Sequence, residues 1–173
     1  SIITSVYDGD KFIKNFMENI TEQTIFESHC ELIMIDANSP GSEETVIREY
    51  MERYPNNIRY EKLDKDPGIY AVWNRAIEMS TGEYITNANL DDIRREDCIE
   101  LQAKAMFLNP EAGLVYNDNY QSHEPNTEFY SDKVSTRYIS PNKVSLDLML
   151  RGNAPHNSPM WRKDIHDKYG GFD

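Results

Sequence analysis

Several features that would assign a function quickly are scarce or absent in this chain of 173 residues. It has two cysteines, Cys30 and Cys98, and no Cys-x-x-Cys pair. Neither a disulfide framework nor a zinc site is therefore expected, and a reducing cytoplasm fits. No apolar run approaches the roughly 20 residues that cross a bilayer, and no signal-peptide pattern opens the chain. We expect a cytoplasmic domain without a transmembrane segment, either free or peripheral at the inner face of the membrane.

Basic residues are also scarce. The chain has 18 Lys and Arg against 30 Asp and Glu, a formal net charge of −12. This excess of acids argues against nucleic acid or an anionic membrane surface as the main partner. It does not exclude a phosphate ligand, because one bound metal ion can reverse the local field.

The glycine-rich nucleotide motifs are missing. There is no Gly-x-Gly-x-x-Gly fingerprint, no Gly-Lys-Ser/Thr phosphate loop and no Gly-x-Ser-x-Gly elbow. Their absence argues against dinucleotide redox chemistry, ATP binding by a phosphate loop and serine hydrolysis. The chain offers acids and aromatic residues instead.

Apolar periodicity predicts alternating strands and helices. The predicted strands are Ile2–Val6, Leu32–Ile35, Ile58–Leu63, Tyr84–Thr86 and Leu114–Tyr116. The predicted helices are Lys11–Thr21, Glu43–Tyr54, Ile69–Met79 and Asp97–Leu108, the last with Cys98, Leu101, Ala105 and Leu108 facing inward. This order predicts an α/β fold with a Rossmann-like, doubly wound and mostly parallel sheet.

The pattern weakens after Asn117, and the polar stretch from Asn119 to Ser145 is predicted to be irregular. We therefore expect a ligand-binding half at 1–117 and the start of a second half at 118–173. Because the chain opens directly on strand-like residues and stops without a closing element, we expect a domain cut from a longer protein.

Acids stand at three predicted strand ends, where an open α/β sheet binds its ligands. They are Asp8 after the first strand, Asp36 after the second, and Asp91 with Asp92 after the fourth. Adjacent carboxylates repel unless a cation or hydrogen bonds compensate them, and oxygen ligands suit Mg²⁺ or Mn²⁺ beside phosphates. The alternatives are that Asp92 or Asp97 caps the next helix, and that the other acids only form turns.

In combination these segments resemble the family-2 glycosyltransferases of the GT-A fold. The resemblance covers nearly the whole chain. It rests on the opening strand Ser1–Asp8, on Gln23-Thr24, on Glu31–Ser39, on the helix Pro67–Ile77, and on Gly82–Ile85 leading into Asn89-Leu90-Asp91-Asp92.

The resemblance implies a donor site for a nucleotide sugar and a divalent metal, Mn²⁺ or Mg²⁺. Asp91 and Asp92 would hold the metal, and Asp36 would accept the imide N–H of a uracil or thymine base on which Tyr7 stacks. Ser5 would also line the donor site. The family usually has Asp where this chain has Asn89, which could bind a ribose hydroxyl but is a weaker metal ligand. Ala37 likewise replaces a second Asp.

The tail Asn153–Arg162 resembles the strand beneath the sugar in this family. His156 is a candidate contact to the donor, although a lone His is more often an ordinary polar residue. Trp161 is predicted to pack in the core. The family's general base normally follows Gly-Gly-Phe-Asp, which here ends at Asp173, so no catalytic base is assigned and we expect it beyond Asp173.

The predicted function is metal-assisted transfer of a sugar, with inversion, from a UDP or TDP donor to a saccharide or lipid-linked acceptor in polysaccharide biosynthesis. The alternative is a nucleotide- or polysaccharide-binding module without turnover. A sugar-nucleotide pyrophosphorylase would want a Gly-rich, basic opening loop, and the segment Ser5–Lys11 is neither.

Overall fold

Strands and helices alternate from residue 2 to residue 115. The computed structural model describes residues 1–131, 134–139, 144–152 and 158–173. Its strands are β1 (Ile2–Val6), β2 (Leu32–Asp36), β3 (Ile58–Lys62), β4 (Tyr84–Asn87), β5 (Leu114–Val115), β6 (Asn119–Ser122), β7 (Val134–Tyr138) and β8 (Met160–Arg162). Its helices are α1 (Ile13–Thr21), α2 (Phe26–His29), α3 (Glu43–Arg53), α4 (Ile69–Met79), α5 (Cys98–Leu108), α6 (Leu146–Arg151) and α7 (Asp164–Tyr169).

The main sheet has six strands in the order β3-β2-β1-β4-β8-β5. Strands β1 to β4 are parallel, and β8 runs antiparallel between β4 and β5. The first strand lies in the middle of the sheet, with β2 on one side and β4 on the other. This arrangement confirms the predicted α/β fold with a mostly parallel, doubly wound sheet.

Side chains alternate between two buried faces, as they must along strands covered on both sides. From β1, Ile2 and Val6 enter one core with residues of α1, α3 and α5. Ile3 enters the other core with Val72 and Ala76 of α4. Trp161 on β8 is 7% exposed in this second core, which confirms its predicted packing.

The prediction that the stretch from Asn119 to Ser145 is irregular was wrong for residues 119–122 and 134–138. Strands β6 and β7 pair there as an antiparallel ribbon, with a register irregularity at Gln121/Ser122. None of the four residues of β6 is buried and only Tyr120 among them is aromatic or apolar, so this segment lacks the apolar alternation on which strand prediction depends. The division of the chain at residue 117 stays a prediction, and β8 returns to the main sheet from beyond it.

The predicted inward face of α5 was also wrong. Ile99, Gln102 and Met106 are buried, whereas Leu101 is 45% and Leu108 66% exposed. Apolar residues stand almost all round this helix, so their spacing alone does not select a face. None of the helices in the described segments is both long and apolar enough to cross a membrane.

The two neighbours Met106 and Phe107 test the corrected face. Met106 is fully buried and Phe107 is 76% exposed. Met106→Ala should lower the free energy of unfolding by about 2–5 kcal/mol, whereas Phe107→Ala should change it by no more than about 0.5 kcal/mol. Urea unfolding of both variants measures the difference, and equal losses would contradict the assigned face.

Candidate active site

The loops that follow β1, β2 and β4 meet at one edge of the sheet. These strands are parallel and adjacent in the order β2-β1-β4, so their carboxyl ends point the same way. In sheets of this type, ligands bind outside the carboxyl ends of such strands. The three predicted strand ends therefore lie at one edge of the sheet, bordered by the loops 7–12, 37–42 and 88–97.

A buried carboxylate joins the first two loops. Ser39 Oγ accepts a hydrogen bond from Asp8 N at 2.9 Å and donates one to Glu43 Oε1 at 2.9 Å. Glu43 Oε1 also accepts from Gly9 N at 2.5 Å, and the side chain is 1% exposed. The backbone at Asp8 and Asn38 turns through left-handed conformations, with φ of 48° and 61°. Asp and Asn tolerate these angles better than most residues, so the loops can reach each other.

Asp36 ends β2 at the same edge. Its Oδ1 accepts from Ser39 N at 2.6 Å, and its Oδ2 accepts from the Tyr60 hydroxyl at 2.5 Å, with Lys62 Nζ 3.6 Å away. Burial first, and then the hydrogen bond to Asp36, raise the pKa of Tyr60. The Asp36 side chain is only 1% exposed. A contact between Asp36 and a nucleotide base therefore stays a prediction. It requires the Tyr60 side chain to move aside and expose the carboxylate.

The loop after β4 carries the two adjacent acids. Asp91 is exposed, whereas Asp92 is half-buried and its Oδ2 accepts from Asn89 Nδ2 at 2.7 Å. The backbone closes a turn here through Asp92 N and Asn89 O at 3.2 Å. A Cβ added to Gly9 would lie 2.3 Å from Leu90 Cδ1. The glycine therefore lets the loop after β1 lie directly against the acidic loop.

An arginine lies behind the acidic loop. The Arg94 guanidinium is 4% exposed and donates to Thr86 Oγ1 at 3.2 Å and to the carbonyl of Asn87. Its Nε has no hydrogen-bond partner among the described residues. Burial lowers the pKa of Arg94, while Cys98 and Asp92 act in the opposite direction. This cation beneath the end of β4 partly offsets the negative charge of Asp92.

Asp91 and Asp92 would suit a divalent ion only if a substrate supplied the remaining ligands. No group of three or more His, Cys, Asp or Glu that could hold a metal occurs in the part of the chain that the structure describes. Mg²⁺ is usually bound through one or two carboxylates plus substrate phosphates. Asp91 and Asp92 supply that number, so they would hold the ion together with a diphosphate.

The remaining predicted site residues differ in position. Tyr7 is 53% exposed at the end of β1, and Ser5 is half-buried beside Ile35 in the sheet register. His156 lies outside the described residues. Asp97 occupies the N-cap position of α5, but its side chain makes no capping hydrogen bond and instead pairs with Arg95.

Comparison with known proteins decides the family. The model of glycosyl transferase family 2 matches residues 1–169. The chain belongs to glycosyl transferase family 2. TuaG of Bacillus subtilis (strain 168), named a putative teichuronic acid biosynthesis glycosyltransferase, is 26% identical over 95% of this chain and 68% of its own length. GgaB of the same organism, a minor teichoic acid biosynthesis protein, is 31% identical over 58% of this chain but only 11% of its own length.

Solved structures of similar proteins show the same fold. TarS 1-349 of S. aureus superposes with a TM-score of 0.73 at 14% identity, over 96% of this chain and 48% of that one. The mannosyltransferase PcManGT of Pyrobaculum calidifontis, solved with GDP-Man and Mn²⁺, superposes with a TM-score of 0.73 at 16% identity, over 99% of this chain and 46% of that one. TarS 1-349 has also been solved with UDP and with UDP-GlcNAc. This family-2 chain therefore spans about half the length of these solved chains.

Three residues at this edge of the sheet were not predicted as site residues. Glu43 lies in a predicted helix, Tyr60 in a predicted strand, and Arg94 between predicted elements. Their partners Gly9, Asp36 and Asn87 lie 34, 24 and 7 positions away. Contacts at these separations leave no local periodicity, so the spacing of residue types in a single sequence does not indicate them.

The contribution of Glu43 can be separated from that of its neighbour. Glu43→Ala leaves the buried donors on Gly9 and Ser39 without an acceptor, so the free energy of unfolding should fall by about 1–3 kcal/mol. Glu44→Ala removes only exposed ion pairs, with Arg48 and Lys62, and should cost less than about 1 kcal/mol. Urea unfolding of the two variants checks this. A Glu43→Ala protein as stable as Glu44→Ala would show that the bridge is unimportant.

Proposed function

We propose that this chain carries the donor site of a glycosyltransferase that moves a sugar from a UDP or TDP donor to an acceptor hydroxyl, with inversion and with metal assistance. The observation that carries the proposal is the junction of three strand-end loops around Tyr7, Asp36 and Asp91. Membership of glycosyl transferase family 2 supports the reaction class. The names of TuaG and GgaB support a role in the synthesis of a cell-wall polysaccharide.

In this proposal the base lies at the ends of β1 and β2. Tyr7 presents an exposed ring on which a planar base can stack. A carboxylate has about four acceptor positions, so Asp36, whose side chain is 1% exposed, can also accept a base N–H once Tyr60 moves aside to admit the base. Uracil and thymine carry a matching imide N–H, and guanine carries a comparable ring N–H. Adenine has no ring N–H of this kind. The complexes of TarS with UDP and of PcManGT with GDP-Man are consistent with this choice.

The diphosphate then lies over the loop after β4. Asp91 and Asp92 would hold the divalent ion, whose positive charge stabilises the leaving diphosphate as the bond to the anomeric carbon breaks. Asn89 fixes Asp92 through its 2.7 Å hydrogen bond, and Arg94 supplies a positive field from below. The acceptor hydroxyl attacks the anomeric carbon from the opposite face of the sugar, and an unassigned general base removes the hydroxyl proton.

The second candidate function is a nucleotide- or polysaccharide-binding module without turnover. Asn89 favours it, because an amide is a weaker metal ligand than the carboxylate that the family usually has at this position. Release of UDP from a UDP-sugar in the presence of an acceptor distinguishes the two functions.

Nucleotide affinity should depend on metal through Asp91. UDP should bind more tightly in Mn²⁺ than in EDTA. Asp91→Ala should lower the affinity for UDP in Mn²⁺ at least about tenfold, as when a metal site is weakened. Asp147→Ala, an exposed acid on α6, is the matched control and should have no effect. Titration calorimetry measures all three. Equal UDP affinity with and without metal would refute the assignment of Asp91.

Asn89→Asp tests the same loop in the opposite direction. The variant replaces the hydrogen bond from Asn89 Nδ2 to Asp92 with the repulsion of two carboxylates, so the metal-free protein should become less stable. It also adds a third oxygen ligand, so Mn²⁺ should bind more tightly and restore the stability. Thermal unfolding with EDTA and with Mn²⁺ measures both effects. A variant that Mn²⁺ does not stabilise more than wild type would place the ion elsewhere.

Base preference should depend on Asp36. UDP should outcompete ADP, and Asp36→Asn should reduce this preference by about 10- to 150-fold, the equivalent of losing a roughly 1.5–3 kcal/mol hydrogen bond to a charged group. Tyr60→Phe removes only the hydroxyl that occupies Asp36 Oδ2, so it should keep or strengthen the preference. Competition binding with the two nucleotides checks both variants. An ADP affinity equal to that of UDP in the wild type would eliminate this role.

A further inference from the structure

The acidic loop after β4 has no regular structure of its own to hold it. Residues 88–97 contain neither helix nor strand, and the two adjacent acids stand near the middle of this range. The start of the loop is fixed to the sheet, because Ala88 N donates to the carbonyl of Ile3 at 2.9 Å. Further along, the Arg94 side chain enters the end of β4. The position of the acids therefore depends on what fixes the backbone from Arg94 onward.

Two amide side chains at the end of α1 fix that backbone. Asn19 Nδ2 donates to the carbonyl of Arg94 at 2.8 Å, and Arg94 N donates to Asn19 Oδ1 at 2.9 Å. Gln23 Nε2 donates to the carbonyl of Arg95 at 3.0 Å, and Gln23 Oε1 accepts from Ile99 N at 3.3 Å. An amide offers a donor and an acceptor together, so each side chain binds a backbone N–H and a backbone carbonyl of this segment.

The helix that carries these amides is a rigid support. Four apolar residues of α1 are buried in the first core: Ile13, Phe16, Met17 and Ile20. Gln23 is 3% exposed, and next to it Thr24 N donates to the carbonyl of Glu96 at 2.9 Å. Gln23-Thr24 is one of the segments on which the family resemblance rests, yet the proposed donor site gives it no part. Its contacts connect the buried helix directly to the acidic loop.

Asn57 makes comparable hydrogen bonds at the opposite edge of the sheet. Its Nδ2 donates at 2.8 to 3.1 Å to three backbone carbonyls, those of Phe26, Glu27 and Cys30. Its own carbonyl accepts from the first residue of β2, at the amino ends of the strands. Asn57 therefore stabilises the fold away from the site. Asn19 and Gln23 differ from it because the backbone that they hold follows directly after Asp92.

We propose that Asn19 and Gln23 are positioning residues, which hold the acidic loop so that Asp91 and Asp92 are placed for the divalent ion before it binds. This role rests on the proposed function and deepens it, because it assigns residues outside the donor site on which metal-dependent donor binding depends. A loop that is already fixed at both ends loses less conformational freedom when the ion and the diphosphate bind, so its affinity for them is higher.

Titration calorimetry of UDP in Mn²⁺ tests the role of the two amides. Asn19→Ala removes both hydrogen bonds to Arg94, whereas Gln23→Met keeps most of the side-chain volume without its polar groups. Each variant should weaken UDP binding by about tenfold, the lower end of the range for groups that orient metal ligands, because α1 acts through the backbone. Asn57→Ala is the matched control. It also loses buried hydrogen bonds and lowers the free energy of unfolding, but it should leave the UDP affinity unchanged.

Amide hydrogen exchange in EDTA gives a second readout that needs no metal. Asp92 N donates to the carbonyl of Asn89 at 3.2 Å within the acidic loop. This amide should exchange about tenfold faster in Asn19→Ala and in Gln23→Met than in wild type, because exchange reports local opening of the backbone. In Asn57→Ala it should exchange at the wild-type rate.

Three results would overturn the role of the amides: both variants bind UDP in Mn²⁺ as tightly as wild type, Asn57→Ala weakens UDP binding equally, or exchange at Asp92 is unchanged in both variants. Should one variant fail to fold, the other decides, and Asn19→Asp, which loses only the donor to the Arg94 carbonyl, is the milder substitution. Wild-type protein that binds UDP equally in Mn²⁺ and in EDTA would instead refute the proposed metal site. The exchange measurement then still decides whether α1 orders the loop.

Discussion

The candidate site depends on one buried carboxylate. Glu43 accepts hydrogen bonds from Gly9 N and from Ser39 Oγ, and Ser39 in turn accepts from Asp8 N. Burying a carboxylate is unfavourable unless hydrogen bonds compensate it, and the donors of two loops compensate Oε1 here, whereas Oε2 has no hydrogen-bond partner among the described residues. The loop that presents Tyr7 and the loop that begins at Asp36 are therefore held as one unit rather than as two independent surface segments.

The carboxylates of the acidic loop after β4 also need compensation, which other groups provide. Asp91 and Asp92 adjoin each other in sequence, and Asn89 and Arg94 provide a hydrogen bond and a buried positive charge close to them. An aspartate in place of Asn89 could not donate that hydrogen bond. This departure from the family's usual motif thus has a structural consequence, because the loop is held partly by neutral and cationic groups of the chain itself.

The proposed donor site lies between this acidic loop and the ends of β1 and β2. Those strand ends offer hydrogen-bond acceptors and an exposed ring, which suit a nucleotide. The formal net charge of −12 is compatible with a phosphate-bearing donor, provided that a metal ion screens it.

The sequence by itself determined the α/β class, the central strands and the loops at which acids gather. A buried parallel strand such as β2 is a continuous apolar run as far as Ile35, and the acid at its end can be recognised without a structure. Only the tertiary structure decided which face of α5 is buried, that β6 and β7 pair, and that β8 enters the sheet between β4 and β5. It also decided the parts played by Glu43, Tyr60 and Arg94. The physical reason is the same in each case: these features arise from contacts between residues distant in the chain, and local spacing and propensity do not encode such contacts.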